Sequence, residues 1–150
     1  MNTSKLLIFV AVAVIFTAYG SGCNTKNEGG KITMAEGSLS VKNESNVDVF
    51  PVVEAKREED FGGVSSGGFK VIGFAAIDVD NVARVTWAEG EWNASKRTVF
   101  FRLTISPQLA QQTKHLEFCY KGNAQWVLNL FSASPPKPDS LLVAIPGRNY

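Results

Sequence analysis

The stretch Arg97-Thr98-Val99-Phe100-Phe101-Arg102-Leu103-Thr104-Ile105 decides the fold. Val99, Phe101, Leu103 and Ile105 fall on one side, and Thr98, Arg102 and Thr104 on the other. A period of two with one apolar and one polar face is a strand half-buried in an antiparallel sheet. Upstream, Val82 to Trp87 repeats the pattern, with Ala83, Val85 and Trp87 inward and Arg84 and Thr86 outward. Ala88 to Lys96, containing Gly90, joins the two as a hairpin connection.

Further upstream, Phe69 to Ile77 is apolar at both parities, which predicts a central strand covered on both sides along part of its length. Ala55 to Gly68 is polar and glycine-bearing and reads as a loop. Val47, Val49 and Val53 share one face, and Pro51 among them predicts an edge strand or bulge because proline has no N–H to donate. Leu39 and Val41 alternate with Ser38, Ser40 and Lys42, and Asn43 to Asn46 supplies turn residues.

Downstream, Ser106-Pro107 is an N-cap followed by proline at the first helical position, so Gln108 to Thr113 is expected to make a short helix. His115 to Tyr120 and Gln125 to Phe131 form a hairpin around Lys121-Gly122-Asn123. Leu116, Phe118 and Tyr120 point inward on its first strand, and Trp126, Leu128 and Leu130 on its second, with Trp126 expected opposite Phe118. Pro135, Pro136 and Pro138 exclude the following segment from a sheet, and it reads as a rigid spacer. Leu141 to Ile145 is a last edge strand.

Seven or eight short strands with glycine-rich turns and one helix read as an all-β antiparallel sandwich, with a small β-barrel as the alternative. Its core is expected to hold Leu39, Val41, Val85, Trp87, Val99, Phe101, Leu103, Phe118, Trp126, Leu128 and Leu130. Buried large side chains contribute ~1.5–3 kcal/mol each, so such a set holds a domain without metal or disulfide.

The first residues carry an address. Lys5 is followed by the apolar run Leu6 to Ala18, then Gly20, Ser21, Gly22 and Cys23. A basic start, an apolar core and small residues at a cut site form a secretory signal, and the run is short of the roughly twenty residues that span a bilayer. The small residues before Cys23 resemble the lipobox of bacterial lipoproteins, in which the cysteine is acylated and becomes the new N-terminus. Gly20 stands where that pattern usually has Leu, Val or Ile. The organisation is therefore a signal peptide (1–22), a lipid-anchored flexible tether (23–37), a β-sandwich (38–145) and a C-terminal tail (146–150). Cleavage that left Cys23 unmodified would instead let it pair with Cys119.

From Val41-Lys42-Asn43-Glu44-Ser45 through Gly67-Gly68 to Val85-Thr86-Trp87, the chain resembles small bacterial lipoproteins with a single Ig-like β-sandwich. That resemblance spans roughly residues 38 to 105 and implies a membrane anchor on Cys23, with no catalytic residues to carry over.

Charge excludes some partners. The chain has 15 Lys+Arg against 14 Asp+Glu, and only Lys5 lies in the signal. A balanced domain with no basic block does not fit nucleic acid or an anionic lipid surface. Catalytic candidates are few. His115, Glu117 and Cys119 share a strand face, but positions two apart on a strand lie ~6.6 Å apart, beyond hydrogen-bond reach, so they read as a solvated outer face. Asp78, Asp80 and Asn81 open a partial calcium loop that has Val82 and Ala83 where a ligand and a glycine are needed, so a solvated turn is expected. Gly62-Gly63 and Gly67-Gly68 lack the Gly-Lys-Ser/Thr of a phosphate loop and read as turn glycines.

No cofactor, metal or catalytic residue is expected. The expectation is a non-enzymatic interaction or structural module of the bacterial envelope, exported to the periplasmic or surface side, with an envelope protein as partner. The alternative is a small-molecule or glycan-binding protein using the hairpin around Trp92, with Glu91 and Asn93 beside it.

Overall fold

The computed structural model describes residues 34–79 and 81–149. The signal segment, Cys23, most of the tether, Asp80 and Tyr150 lie outside them. The strands are β1 (Met34–Asn43), β2 (Val49–Glu54), β3 (Glu58–Asp60), β4 (Phe69–Asp78), β5 (Val82–Glu89), β6 (Arg97–Arg102), β7 (His115–Gly122), β8 (Gln125–Phe131) and β9 (Leu141–Pro146). One helix, α1 (Pro107–Gln112), separates β6 from β7, and Ser106 caps it by accepting from the Leu109 N–H at 3.2 Å.

The strands make two sheets, of order β4-β1-β7-β8-β9 and β3-β2-β5-β6. Their inner faces meet in one apolar core, and all eleven residues expected there are buried. The sandwich is not a closed barrel. Its far side is laced instead by the tail, where Arg148 and Phe100 exchange backbone hydrogen bonds and the Gly147 N–H donates to the Trp126 carbonyl. One pairing departs from the antiparallel expectation: β1 lies parallel to β7, with Leu39 beside Leu116 and Val41 beside Phe118. A parallel neighbour requires a long crossover, and β2 to β6 together with α1 lie between these two strands.

Several strand assignments are corrected. β1 starts at Met34, ahead of the expected Ser38, because Ala35 and Gly37 continue its buried face and pair with β4. β3 lies inside the segment read as a loop, and Phe61 and Val64 beyond it are buried. β2 lies between β3 and β5 and is not an edge. Pro51 is tolerated there because β3 reaches only Val52 to Glu54, and the Pro51 carbonyl still accepts from Phe61. The hairpin turn falls on Asn123 and Ala124, both at positive φ, which puts Tyr120 opposite Trp126 and leaves Phe118 opposite Leu128.

The largest correction concerns β4, which is an edge strand. Phe69, Val71 and Phe74 stand 71%, 55% and 66% exposed on its outer face. Gly73 is an extra residue between the pairs Leu39–Ile72 and Ser38–Phe74, a bulge at φ +25°. It shifts parity by one, so Phe74 returns to the face of Phe69 and Val71, while Ile77 turns into the core.

Candidate functional site

The sequence points to the β5–β6 hairpin tip, and the structure separates its two tryptophans as expected. Trp87 is buried in the core, whereas Trp92 stands 73% exposed with Glu91 and Asn93 exposed on either side. The tip is a tight turn in which the Ala94 N–H donates to the Glu91 carbonyl at 3.1 Å. Gly90, at φ +76°, opens it, and its N–H donates to the Asp48 carbonyl at 2.8 Å. The Gly90 bond ties the base of the tip to the β1–β2 connection.

At the base of the tip lies a polar cleft of about 510 Å³, whose walls include Glu44, Asn46, Glu89, Arg97, Tyr120 and Asn123. Glu89 organises it. One oxygen, Oε1, accepts from the Tyr120 hydroxyl, from Trp87 Nε1 at 3.4 Å and from Arg97 at 3.4 Å. Glu44 faces Lys121 and Lys42, and hydrogen bonds from these ammonium groups pull its carboxyl down to about 2. The cleft thus presents carboxylates, cations and a phenol at the base of the hairpin that carries Trp92.

His115, Glu117 and Cys119 do share the outer face of β7, but the expectation that this face is solvated is overturned. His115 and Cys119 are buried. The segment after β8 folds back across the face, and Ser134 Oγ reaches Ser38 Oγ at 2.6 Å. His115 Nδ1 lies 2.5 Å from Ser38 Oγ and Nε2 lies 2.8 Å from Ser40 Oγ, with the Phe131 ring 5.9 Å away. The proline-bearing segment is therefore a cover as well as a spacer.

The three residues do not act together. Glu117 accepts from Asn129 Nδ2 at 3.0 Å, and burial pushes the Cys119 thiol up to about 11. A thiol held protonated is a poor nucleophile. Cys119→Ser is accordingly expected to cost ~1–3 kcal/mol, because it places a more strongly polar hydroxyl in a buried site. Urea unfolding of the variant checks this, and a cost near zero would mean that the face is solvated.

Burial also holds the His115 pKa below its usual value, with the nearby Glu117 charge opposing the shift. Unfolded, the imidazole takes up a proton near pH 6.5. Below that pH the unfolded chain binds the extra proton, so His115's contribution is complete above the unfolded pKa and is lost as pH falls through it. The urea midpoint should therefore fall between about pH 7.5 and about pH 5, and His115→Gln should flatten this part of the slope.

At the Asp78 turn, Asn81 Nδ2 donates to Asp78 at 3.4 Å and Asn81 Oδ1 accepts from the Val82 N–H, and Asp80 lies outside the described residues. Gly62 and Gly67 both sit at positive φ, and Gly67 lies in a turn. Among the described residues, no group of three or more His, Cys, Asp or Glu side chains is placed to hold a metal ion. No helix among them is long and apolar enough to cross a membrane.

Two features had weak sequence signals. Ser38 and Ser40 share a strand parity, which was the only hint that both could meet one imidazole. The Tyr120–Glu89 bond joins strands of different sheets, and no local pattern announces it. No family model matches the chain, and no curated protein matches it.

Proposed function

We propose that the chain is a bacterial envelope lipoprotein, exported and held to the membrane by acyl groups on Cys23, whose β-sandwich is a non-enzymatic interaction module. The observation that carries this reading is the exposed Trp92 on a hairpin tip tied down at its base. A large amphipathic ring in solvent on a fixed support is the kind of anchor that dominates protein interfaces. The two groups best suited to acid–base or nucleophilic work support the non-enzymatic part. His115 has both ring nitrogens engaged by serines, and the Cys119 thiol is buried with a raised pKa. The partner proposed for the tip is an envelope protein.

A second reading follows from the cleft beside the tip. Glu44, Glu89 and Arg97 offer hydrogen bonds at the base of a hairpin that carries an aromatic face, a combination suited to a sugar.

Trp92→Ala tests both readings. Its unfolding free energy should stay within about 0.5 kcal/mol of the parent, because an exposed side chain contributes little to the core. A photo-crosslinker at Asn93 in cells should capture an envelope protein, and Trp92→Ala should abolish the adduct. A glycan-array signal lost in Trp92→Ala, with no protein adduct, would favour the sugar. Retention of either signal in the variant would remove Trp92 from the site.

A further inference from the structure

The outer face of β4 carries an apolar strip unrelated to the hairpin tip. Phe69, Val71, Phe74 and Ala76 occupy its successive outward positions, and no charged side chain interrupts them before Asp78. The first three are more than half exposed. Two phenylalanines and a valine side by side exceed the scattered single apolar residues of an ordinary surface. Across the strip, Pro135 and Pro136 form a second apolar wall, over a groove of about 260 Å³ floored by Ser38 and Ser40.

We propose that this strip rests on the bilayer to which the chain is anchored, giving the domain a second, non-covalent membrane contact. The proposal relies on the lipid-anchor reading above and names what the five-stranded sheet faces. Chain length supports it. Ten residues lie between Cys23 and Met34, so the eleven Cα–Cα steps have an extended reach of ~38 Å at most. The chain then enters the domain through β1, the strand hydrogen-bonded to β4, with Met34 opposite Asp78. The anchor therefore holds β4 within a few nanometres of lipid, and a tethered contact forms at high effective concentration.

The chemistry of the strip also fits. Phenylalanine and valine partition into the headgroup–acyl boundary without a basic cluster. The near-neutral charge of the domain accordingly calls for docking on zwitterionic lipid with little dependence on salt.

The test uses the processed full-length protein in phosphatidylcholine vesicles, with a nitroxide at Val71→Cys or, for comparison, at Arg102→Cys on the exposed face of β6. Intact mass is read on the same samples. Collisions of the Val71 label with a water-soluble nickel complex should fall severalfold relative to the Arg102 label, and collisions with oxygen should rise. Replacing Phe69 and Phe74 together by serine should restore nickel access at position 71, while circular dichroism shows the sheet intact. Acylated protein whose Val71 label stays open to nickel would overturn the docking and leave the anchor standing, as would shielding of that label only when an envelope protein is added. A chain without acyl groups would overturn the anchor, and the docking with it.

Discussion

Trp126→Ala is expected to lower the unfolding free energy by ~3–5 kcal/mol, the usual cost of truncating a buried large aromatic. Trp126 is 2% exposed and lies where the two sheets meet. Its ring centroid is 5.5 Å from that of Trp87 on β5, nearly edge-on at 64°, and 4.9 Å from that of Tyr120 on β7. Such pairs contribute ~0.5–1.5 kcal/mol beyond the area they bury, so the cluster ties the five-stranded sheet to the four-stranded one. The indole Nε1 has no hydrogen-bond partner among the described residues. Trp126→Phe should therefore retain most of the stability, because it removes an unsatisfied donor along with part of the ring. Urea unfolding followed by circular dichroism checks both variants. A large loss in Trp126→Phe comparable to that in Trp126→Ala would show that the indole N–H is satisfied.

Gly37→Ala should be the other severe substitution, at or above the ~1–3 kcal/mol typical of overpacking. Gly37 lies on β1 where that strand meets the start of β7, and the Ser38 N–H donates to the Lys114 carbonyl at 3.0 Å. A β-carbon at Gly37 would clash with the Lys114 carbonyl carbon and oxygen and lie 2.7 Å from the His115 nitrogen. These are backbone atoms, so no rotamer change relieves the clash. β1 is bonded to β4 on one side and β7 on the other, and a shift of β1 disturbs both ladders. The thermal midpoint of Gly37→Ala against the parent is the measurement. An unchanged midpoint would mean that β1 and β7 are not in contact at this residue.

The sandwich was legible wherever one face alternated cleanly. Val99, Phe101 and Leu103, or Leu116, Phe118 and Tyr120, need only their own parity to reveal an inner face. Parity also places Trp87 in the core, whereas Trp92 is marked out by its polar neighbours Glu91 and Asn93 in the connection between strands. The parity reading failed at β4 because apolar residues at both parities look alike whether the second face is covered or bare. The position of β4 at the edge of its sheet, together with the Gly73 bulge, depends on pairing with β1 some thirty residues away. It failed on β7 for the opposite reason. The cover over His115 comes from Ser134 and its neighbours, which are joined to Ser38 across 96 residues of chain. Phe61 and Val64 were missed as core because isolated apolar residues among glycines and acids have no period to read.

The site was half legible. Exposure of Trp92 follows from its place in a polar hairpin connection between Glu91 and Asn93, whereas the cleft assembles Glu44, Glu89 and Tyr120 from three separate strand ends.

The proposed lipid anchor on Cys23 is the premise on which export, tethering and membrane docking all depend. Intact mass of the protein extracted from membranes measures it directly. The expected result is a chain starting at Cys23 and carrying acyl groups, with the unprocessed precursor accumulating in Cys23→Ala. A lipid-free chain beginning at Ser21 or Asn24 would contradict it.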